Sequence, residues 1–489
     1  MGSSLLSIAR SALLSYQTAL QTTAHNVANA ETDGYSRQEV VFNANVPVRL
    51  YNGNLGTGVH IDTIQRKRDL LLDDNYRSTA VLAGNTTMRR DLMQKVEDIF
   101  GEPSDAGMAN ALDQFWNAWS DLSAQPGSLA ARSVVQQRGR QLAQLFNDYD
   151  TQLTQQRNSN LELLSNTVSR INTLASQVAE LNNRILGSEG AGHVANDLRD
   201  TRDQALDELA QVAGARVIFQ PNGTATVLIA NSTLVESNSW NALSARLETI
   251  TPPPTDPVTD VPVRITLGGS PDRLAPLDGE LGAITAVLNQ DIPAYRGRLD
   301  AMAAQLVTAV NDVHTAGYIF SGNTVPGSNA GNFFADGTEV VGGVTVNHPV
   351  KAATITLDAD ITADPGRIAA SGNANGPTDN GTAQALAALR LLDGSVSWTA
   401  SNGTSETGSF IGFFRSLVTR LGVDVSAAND SSKTAESMLQ QSELRRQSVS
   451  GVNSDEELVN MLRIQQSYQA AAKMITAADE MMKTLISLI

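Results

Sequence analysis

Heptads at both ends of the chain constrain its fold more than any other feature. Near the start, Leu6, Leu13, Leu20 and Val27 recur every seven residues, with Ala9, Tyr16, Thr23 and Ala30 falling three later, the a/d spacing of a coiled-coil seam. At the other end, Met461, Ile464, Tyr468, Ala471, Ile475, Ala478, Met482, Leu485 and Ile489 hold the alternating 3,4 spacing, and Gln465, Gln469, Lys473, Asp479, Glu480 and Lys483 fill the remaining face. Ser454 followed by Glu457 reads as a capping box, and Asp455, Glu456 and Glu457 place negative charge where the helix dipole favours it. Asn453 with Glu456 would serve as well. A lone pair of such helices covers one face of each, and burying one face does not recover the entropy of ordering two long backbones. Two arrangements satisfy the pattern: ends that stay frayed until neighbouring chains complete their packing, or an antiparallel pair within one chain.

Between the ends the helical period continues. Val134 to Ile185 carries Leu161, Leu164, Val168, Ile171, Leu174, Val178, Leu181 and Ile185 on one stripe. Gly279 to Val313 carries Leu281, Ile284, Leu288, Leu299, Met302, Leu306 and Val310, and Ser409 to Val449 carries Phe413, Leu417, Leu421, Met438 and Leu444. Two stretches break the period. Arg216 to Val235 alternates as strands around the turn Pro221, Asn222, Gly223, and the proline-dense run Thr251 to Pro257 is a loop no helix crosses. Gly317 to Pro377 is again rich in Gly, Asn, Thr and Val. The expected organisation is a terminal coiled-coil domain from 1–30 and 454–489, a discontinuous helical-bundle domain from 31–214, 279–317 and 379–453, and a β-rich outer domain from 215–278 and 318–378. A length of 489 residues suits that number of domains, at about 150 residues each.

Composition narrows the function classes. A formal net charge of −16 argues against nucleic acid or an anionic membrane as partner. With 0 Cys there are no disulfides, thiolate metal sites or cysteine nucleophiles. His25, His60, His193, His314 and His348 are scattered without a His-x-x-x-His pair and read as surface or packed residues. Asp358, Asp360 and Asp364 space like the start of a calcium loop but lack its Gly and closing Glu, so they read as an acidic turn beside Pro365 and Gly366. Gly56, Gly58, Gly268 and Gly269 have no Lys-Ser/Thr after them and read as strand-end glycines, while Phe115, Trp116 and Trp119 read as core. No catalytic constellation, metal site or cofactor site emerges. No apolar run is long enough to span a membrane, and Ser7, Arg10, Ser11, Ser15 and Gln17 interrupt the start, which argues against a cleaved secretory signal.

Directly after the first heptad helix, Asn26 to Gln38 reads Asn, Val, Ala, Asn, Ala, Glu, Thr, Asp, Gly, Tyr, Ser, Arg, Gln. Gly34 suits a left-handed turn, Asn29 and Asp33 favour helix ends, and Tyr35 can pack back on the helix. This segment resembles the signature of bacterial flagellar rod, hook and hook-associated proteins, and its ending Gly34, Tyr35, Ser36, Arg37, Gln38 is similar to the hook-associated protein 1 family of the hook–filament junction. The same likeness returns at Phe100 to Ser120, where Phe-Gly-Glu-Pro-Ser precedes Leu112, Phe115, Trp116 and Trp119. It returns again at Ser450 to Asn453, Asp455 to Glu457, Gln465 to Ala470 and Ala478 to Met481. Ser454 stands where that family would have Leu, and Asp33 where Pro or another turn former is common.

The resemblance implies a mainly α fold with a β-rich insertion, a flagellin/hook-like multi-domain architecture whose N- and C-terminal helices pair as a coiled coil. It implies a structural adaptor, not an enzyme, that joins hook to filament as a layer assembled through its terminal helices. Implied partners are the hook protein on one side, a second hook-associated junction protein on the other, further copies of the chain, and an export chaperone on the C-terminal helix. Export through the flagellar type III apparatus to the cell exterior follows from the same likeness. The expected assembly interface is Leu6, Leu13, Tyr16, Leu20, Val27, Met461, Ile464, Tyr468, Ile475, Met482, Leu485 and Ile489, with the turn motif Asn29, Gly34, Tyr35, Arg37 and Gln38. Alternatives are a self-polymerising hook or distal-rod subunit, and a secreted hydrolase on a helical stalk.

Overall fold

The computed structural model describes residues 2–50, 53–102, 104–190, 194–248, 260–320, 325–341, 344–399 and 403–487. The Thr251 to Pro257 loop, His193 and Ile489 lie outside the described residues.

The first heptads form α1 (Gly2–Ala28). A long antiparallel hairpin follows, β1 (Gln38–Ala44) against β4 (Val59–Arg66), tipped by β2 (Val48–Leu50) and β3 (Gly53–Leu55). The sequence reading marks only strand-end glycines here, Gly56 and Gly58, and does not place β1 or β4. Val40, Val41 and Phe42 are consecutive apolar residues, and the register shift between Val41 and Phe42 breaks the alternation that marks a strand.

The body is helical. Asp69 caps α2 (Leu70–Phe100) by accepting from the Leu71 N–H, and Gly101 ends it in the left-handed region. Then come α3 (Met108–Ala124), α4 (Leu129–Glu189) and α5 (Asn196–Ala213). The stripe from Leu161 to Ile185 belongs to α4, a single helix of 61 residues capped by Ser128, about 90 Å long at 1.5 Å per residue. Gly84 lets α2 approach α5 closely, since a Cβ there would sit 2.3 Å from the Gln211 carbonyl oxygen.

The stretch from Gly279 forms α6 (Gly279–Ala286) and α7 (Ile292–Thr315), joined by the π-helical turn Val287–Asp291. Pro293 has no N–H for the α-ladder, so the chain is wound more loosely for one turn rather than continuing unbroken. Small helices α8 (Ala359–Ala363) and α9 (Gly381–Ala388) precede α10 (Phe410–Ser450) and α11 (Ser454–Ser487). Phe413, Leu417 and Leu421 of α10 are buried against the body, but Met438 and Leu444, which share their period, face outward.

Strands β5 (Arg216–Phe219), β6 (Ala225–Ile229), β7 (Ser232–Glu236) and β8 (Ser239–Trp240) make an antiparallel meander, and β9 (Leu243–Leu247) pairs with β10 (Val263–Leu267). The expected turn after Phe219 is present, with Gly223 at φ 84. Among the described residues of 317–377 there is less sheet than the composition suggests: short pairs at Tyr318–Ile319 with Ser328–Asn329 and Thr338–Val341 with Val344–Asn347. A further hairpin, Val396–Thr399 with Ser405–Gly408, was not legible as strands. Side-chain amides on α4 hold these inserted segments at successive levels. Gln136 donates to the Ile361 carbonyl and Asn147 to that of Ala352, while farther along Asn172 and Asn182 each bond both backbone groups of Leu243 and Ala225.

The centre is aromatic. Phe115, Trp116, Trp119, Phe333, Phe334 and Phe410 are buried in one cluster, so the Phe115 to Trp119 group is core, as its spacing predicts. His314 lies in the same cluster, its Nδ1 2.7 Å from the Gly331 carbonyl oxygen and its Nε2 accepting from the Ala369 N–H at 3.0 Å. Burial pushes its pKa from 6.5 down to about 4. The unfolded chain therefore takes up a proton that the folded chain refuses until lower pH. Stability is expected to fall by up to about 3 kcal/mol as pH drops from about 6.5 to about 4. Denaturant titrations across that window check this; an equal loss in His314→Gln would place the acid sensitivity elsewhere.

Candidate functional site

The terminal helices α1 and α11 pair antiparallel, the end of α1 meeting the start of α11. Small residues form the centre of the contact: Ala12, Ala19 and Asn26, flanked by Ala9, Ser15, Thr22 and Thr23, are buried on α1, and Glu457, Ala471 and Ala478 on α11. Ala9, Thr23, Ala471 and Ala478 of the expected seam are among them, and Ala12 and Ala19, one position before the leucines, are buried as well. Leu6, Leu13, Tyr16, Leu20 and Val27 are half-buried at its rim, as are Met461, Ile464, Tyr468 and Ile475, while Met482 is exposed. Alanine and serine let two backbones approach closely, which pushes longer side chains outward. The surroundings of the Leu485 side chain, like Ile489, lie outside the described residues.

Large apolar side chains remain uncovered on this pair. On α1, Leu5 is 43% and Leu14 52% exposed; on α11, Leu458 is 48%, Val459 67%, Leu462 60%, Met474 48% and Met481 50% exposed. Tyr16 also meets Phe42 of β1, ring centroids 5.9 Å apart, so the hairpin braces one side of α1.

Below the pair, the turn motif ties several elements into one polar junction. Gly34 takes φ 76, the left-handed conformation its sequence position predicts. That reverses the chain so that the Tyr35 hydroxyl donates to Asn26 Oδ1 at 2.9 Å while its ring packs edge-on against His25. Burial, with Asp197, Asp200 and Glu457 nearby, raises the Tyr35 hydroxyl well above its ordinary value, so it stays a donor. Asn29 bonds the His25 carbonyl. Arg37 donates its N–H to the Ser450 carbonyl and its guanidinium to Glu457 at 2.8 Å, and Gln38 reaches Asp197 on α5 at 2.8 Å.

An acidic stripe on α5 receives the other side of the junction. Asp200 accepts from the Ser36 N–H and hydroxyl and from Arg66, Asp203 from Arg66 and Arg68, and Asp207 from Arg77 and Arg446. Arg446 also lies over the Tyr76 ring, 3.6 Å from its centroid. Burial works to raise the Asp203 carboxyl, but Arg66 and Arg68 outweigh it and hold the group below the usual carboxylate range. At Asp207 burial wins over Arg77 and Arg446, and the pKa rises.

The sequence reading missed Ser36, Arg66, Arg68, Asp200, Asp203 and Asp207. The legible signal was the three- and four-residue spacing of Asp197, Asp200, Asp203 and Asp207 along one helix face. The cap reading also shifts by one residue. Asn453, not Ser454, accepts from the Asp455 and Glu456 N–H groups, because Glu457 is committed to Asn26 and Arg37. Asn453→Ala is expected to cost about 1 kcal/mol of helix stability and to speed hydrogen exchange at the Asp455 and Glu456 amides. Unchanged exchange there would show the cap to be idle.

The remaining polar candidates are used structurally. Asp358 and Asp364 accept from the N–H groups of Asp360 and Gly366, and Asp360 pairs with Arg367, an acidic turn as expected. His60 bonds Asn45 and His25 bonds Tyr35. Gly58 directly precedes β4, and Gly268 and Gly269 follow β10. Among the described residues, no group of three or more His, Asp or Glu is placed to hold a metal ion, and no helix is long and apolar enough to cross a membrane.

Comparison with known proteins agrees with this geometry. Residues 93–334 match the family described as flagellar hook-associated protein FlgK helical domain, and residues 446–488 match the C-terminal family of flagellar basal body rod FlgEFG proteins. The chain is 31% identical to flagellar hook-associated protein 1 of Bacillus subtilis, covering 99% of this chain and 97% of that one. It is 28% identical to the Escherichia coli protein of the same name, covering 99% of this chain and 100% of the other. In fold it resembles the flagellar hook junction protein FlgK of Burkholderia pseudomallei, with TM-score 0.61 and 17% identity over 77% of this chain and 100% of that one. End-to-end likeness, the turn motif and the paired terminal helices lead to one conclusion: the chain belongs to the flagellar hook-associated protein 1 family, a structural component of the bacterial flagellum.

Proposed function

We propose that this chain is the adaptor layer between hook and filament and that it works by packing, not turnover. The observation that carries the reading is the apolar surface left on the terminal pair: the half-buried rim from Leu6 to Val27 and the exposed Leu14, Leu462 and Met474. Side chains of this size on a folded surface gain on the order of 1.5–3 kcal/mol each when covered, and a ring of identical chains supplies the cover. In this reading residues 1–30 and 454–489 form the inner shell, and 31–214, 279–317 and 379–453 the next. Residues 215–278 and 318–378 face outward. The assembly interface is Leu6, Leu13, Tyr16, Leu20, Val27, Met461, Ile464, Tyr468, Ile475, Met482, Leu485 and Ile489. The two unlike faces of such a layer meet the hook protein and a second hook-associated protein. Head-to-tail contact between copies propagates the hook's helical lattice.

The chain reaches this position outside the cell through the flagellar export apparatus, with a chaperone covering α11 beforehand. Imaging cells that lack the protein tests the reading: bare hooks, with filament subunits released to the medium, are expected. Attached filaments would refute it. The likeness of residues 446–488 to rod proteins gives the hook or rod alternative its one support, and electron microscopy of concentrated protein separates the two. Monomers fit the junction layer, and extended tubes a hook or rod subunit.

A further inference from the structure

We propose that Asn26 and Glu457 fix the register in which the two terminal helices pair. The apolar pattern alone does not. Stepping back by heptads along α1 from Asn26 gives Ala19, Ala12 and Leu5; stepping forward along α11 from Glu457 gives Ile464, Ala471 and Ala478. Counted from the Asn26–Glu457 hydrogen bond, an antiparallel pair sets Ala19 against Ile464 and Ala12 against Ala471, and Ala12, Ala19, Ala471 and Ala478 are buried. Slipping the helices by one heptad sets alanine, leucine and isoleucine against much the same partners, so the apolar gain barely changes. The Tyr16–Phe42 contact and the Ser15 hydroxyl on the Val59 carbonyl hold α1 against the hairpin, so the slip in question is that of α11 along α1, by about 10 Å per heptad.

The polar pair discriminates. Asn26 is 1% exposed and every polar valence is used: Nδ2 donates to Glu457 Oε2 at 3.0 Å and to the Gln38 carbonyl at 2.9 Å, while Oδ1 accepts from the Gln38 N–H and the Tyr35 hydroxyl. Glu457, with a side chain 3% exposed, is answered by Asn26 and Arg37. Shifted one heptad in one sense, Asn26 would face Ile464 and Glu457 would pass the end of α1; shifted in the other, Glu457 would face Ala19 and Asn26 would pass the start of α11. Either way the Asn26–Glu457 bond is lost, with the carboxylate displaced from its amide partner and one Asn26 N–H left to an apolar neighbour. Buried polar groups of this kind select a register at some cost in stability.

The inference concerns one isolated chain and stands apart from the adaptor reading. Because the chain holds 0 Cys, cysteine pairs report register without background. In the full-length chain, Ala12→Cys with Ala471→Cys is expected to oxidise to a disulfide and Ala12→Cys with Ala478→Cys to fail, since a disulfide needs Cα atoms within about 7 Å. Adding Asn26→Leu with Glu457→Leu keeps the contact apolar and removes the discriminator. Both cysteine pairs are then expected to form at comparable yield, with helicity by circular dichroism unchanged. If only the Ala12–Ala471 cross-link still forms, the register is set elsewhere and the proposal fails. If the double leucine variant loses its terminal helicity and both cross-links, the polar pair is a stability element rather than a register device, which also overturns it.

Discussion

Truncating the chain after Ser454 is expected to leave a folded body and to strip filaments from the hooks of cells that carry it. Among the described residues, the continuous buried core runs from Leu92 to Val425 and takes none from α1 or α11. The body therefore loses none of its own apolar contacts, and its thermal transition should move by no more than a few degrees. The loss falls on α1. Without α11, Ala9, Ala12 and Ala19 lose their cover, Asn26 loses one of its two amide acceptors, and Arg37 loses both Glu456 and Glu457. With only the hairpin left on one side, a helix of this length is marginal in water, so α1 becomes sensitive to protease while the body resists. Filament subunits then have no seat and appear in the medium. Attached filaments on such cells would rule out assembly through the terminal helices.

Neutralising Asp203 is expected to destabilise the folded chain far more than neutralising a surface carboxylate. Its side chain is 4% exposed and lies 2.8 Å from Arg66 and 2.9 Å from Arg68. Asp203→Asn keeps the volume and removes one carboxylate from Arg66 and Arg68, which retain Asp200 and Asp73. A buried pair broken outright costs on the order of 3–5 kcal/mol, so a loss of up to about 3 kcal/mol is expected here. Arg66 ends β4, so the hairpin that braces α1 is the first element to loosen. Chemical denaturation of the full chain gives the comparison, with Asp479→Asn as control. That carboxylate pairs with Lys483 on the surface, side chains 56% and 74% exposed, and its loss is worth roughly 0.5 kcal/mol at most. An Asp203→Asn chain within about 1 kcal/mol of the control would show the network to be neutral. The carboxyl is held below its ordinary range in the folded chain, so its stabilisation is complete above the unfolded value, near pH 4, and is lost as pH falls further.

Helices were legible because they bury a stripe. Leu161 to Ile185 repeats at a helical period over many turns, and α4 puts its buried side there. The hairpin of β1 and β4 was hidden because its bulge at Val41 and Phe42 interrupts alternation. In the terminal pair the period was right: Ala9, Thr23, Ala471 and Ala478 of the expected seam are buried, while Leu6, Leu13 and Leu20 stay half-buried beside the smaller Ala12 and Ala19. In the turn motif the left-handed Gly34 and the return of Tyr35 onto the helix were readable, but the bonds of Ser36, Arg37 and Gln38 were not. The charge network was not, since Arg66, Arg68, Arg77 and Arg446 come from separate elements, and only the tertiary fold brings them to the aspartates of α5.

The central claim is that apolar side chains left uncovered on the folded terminal pair are what neighbouring subunits cover. Leu14 and Leu462 are 52% and 60% exposed, so replacing both with glutamate costs the single chain little while placing charges in the proposed contact. The direct measurement is electron microscopy of cells whose only copy carries Leu14→Glu with Leu462→Glu, after the purified variant has shown normal helicity and the Ala12–Ala471 cross-link. Bare hooks are the expected result. Hooks bearing normal filaments would contradict the account.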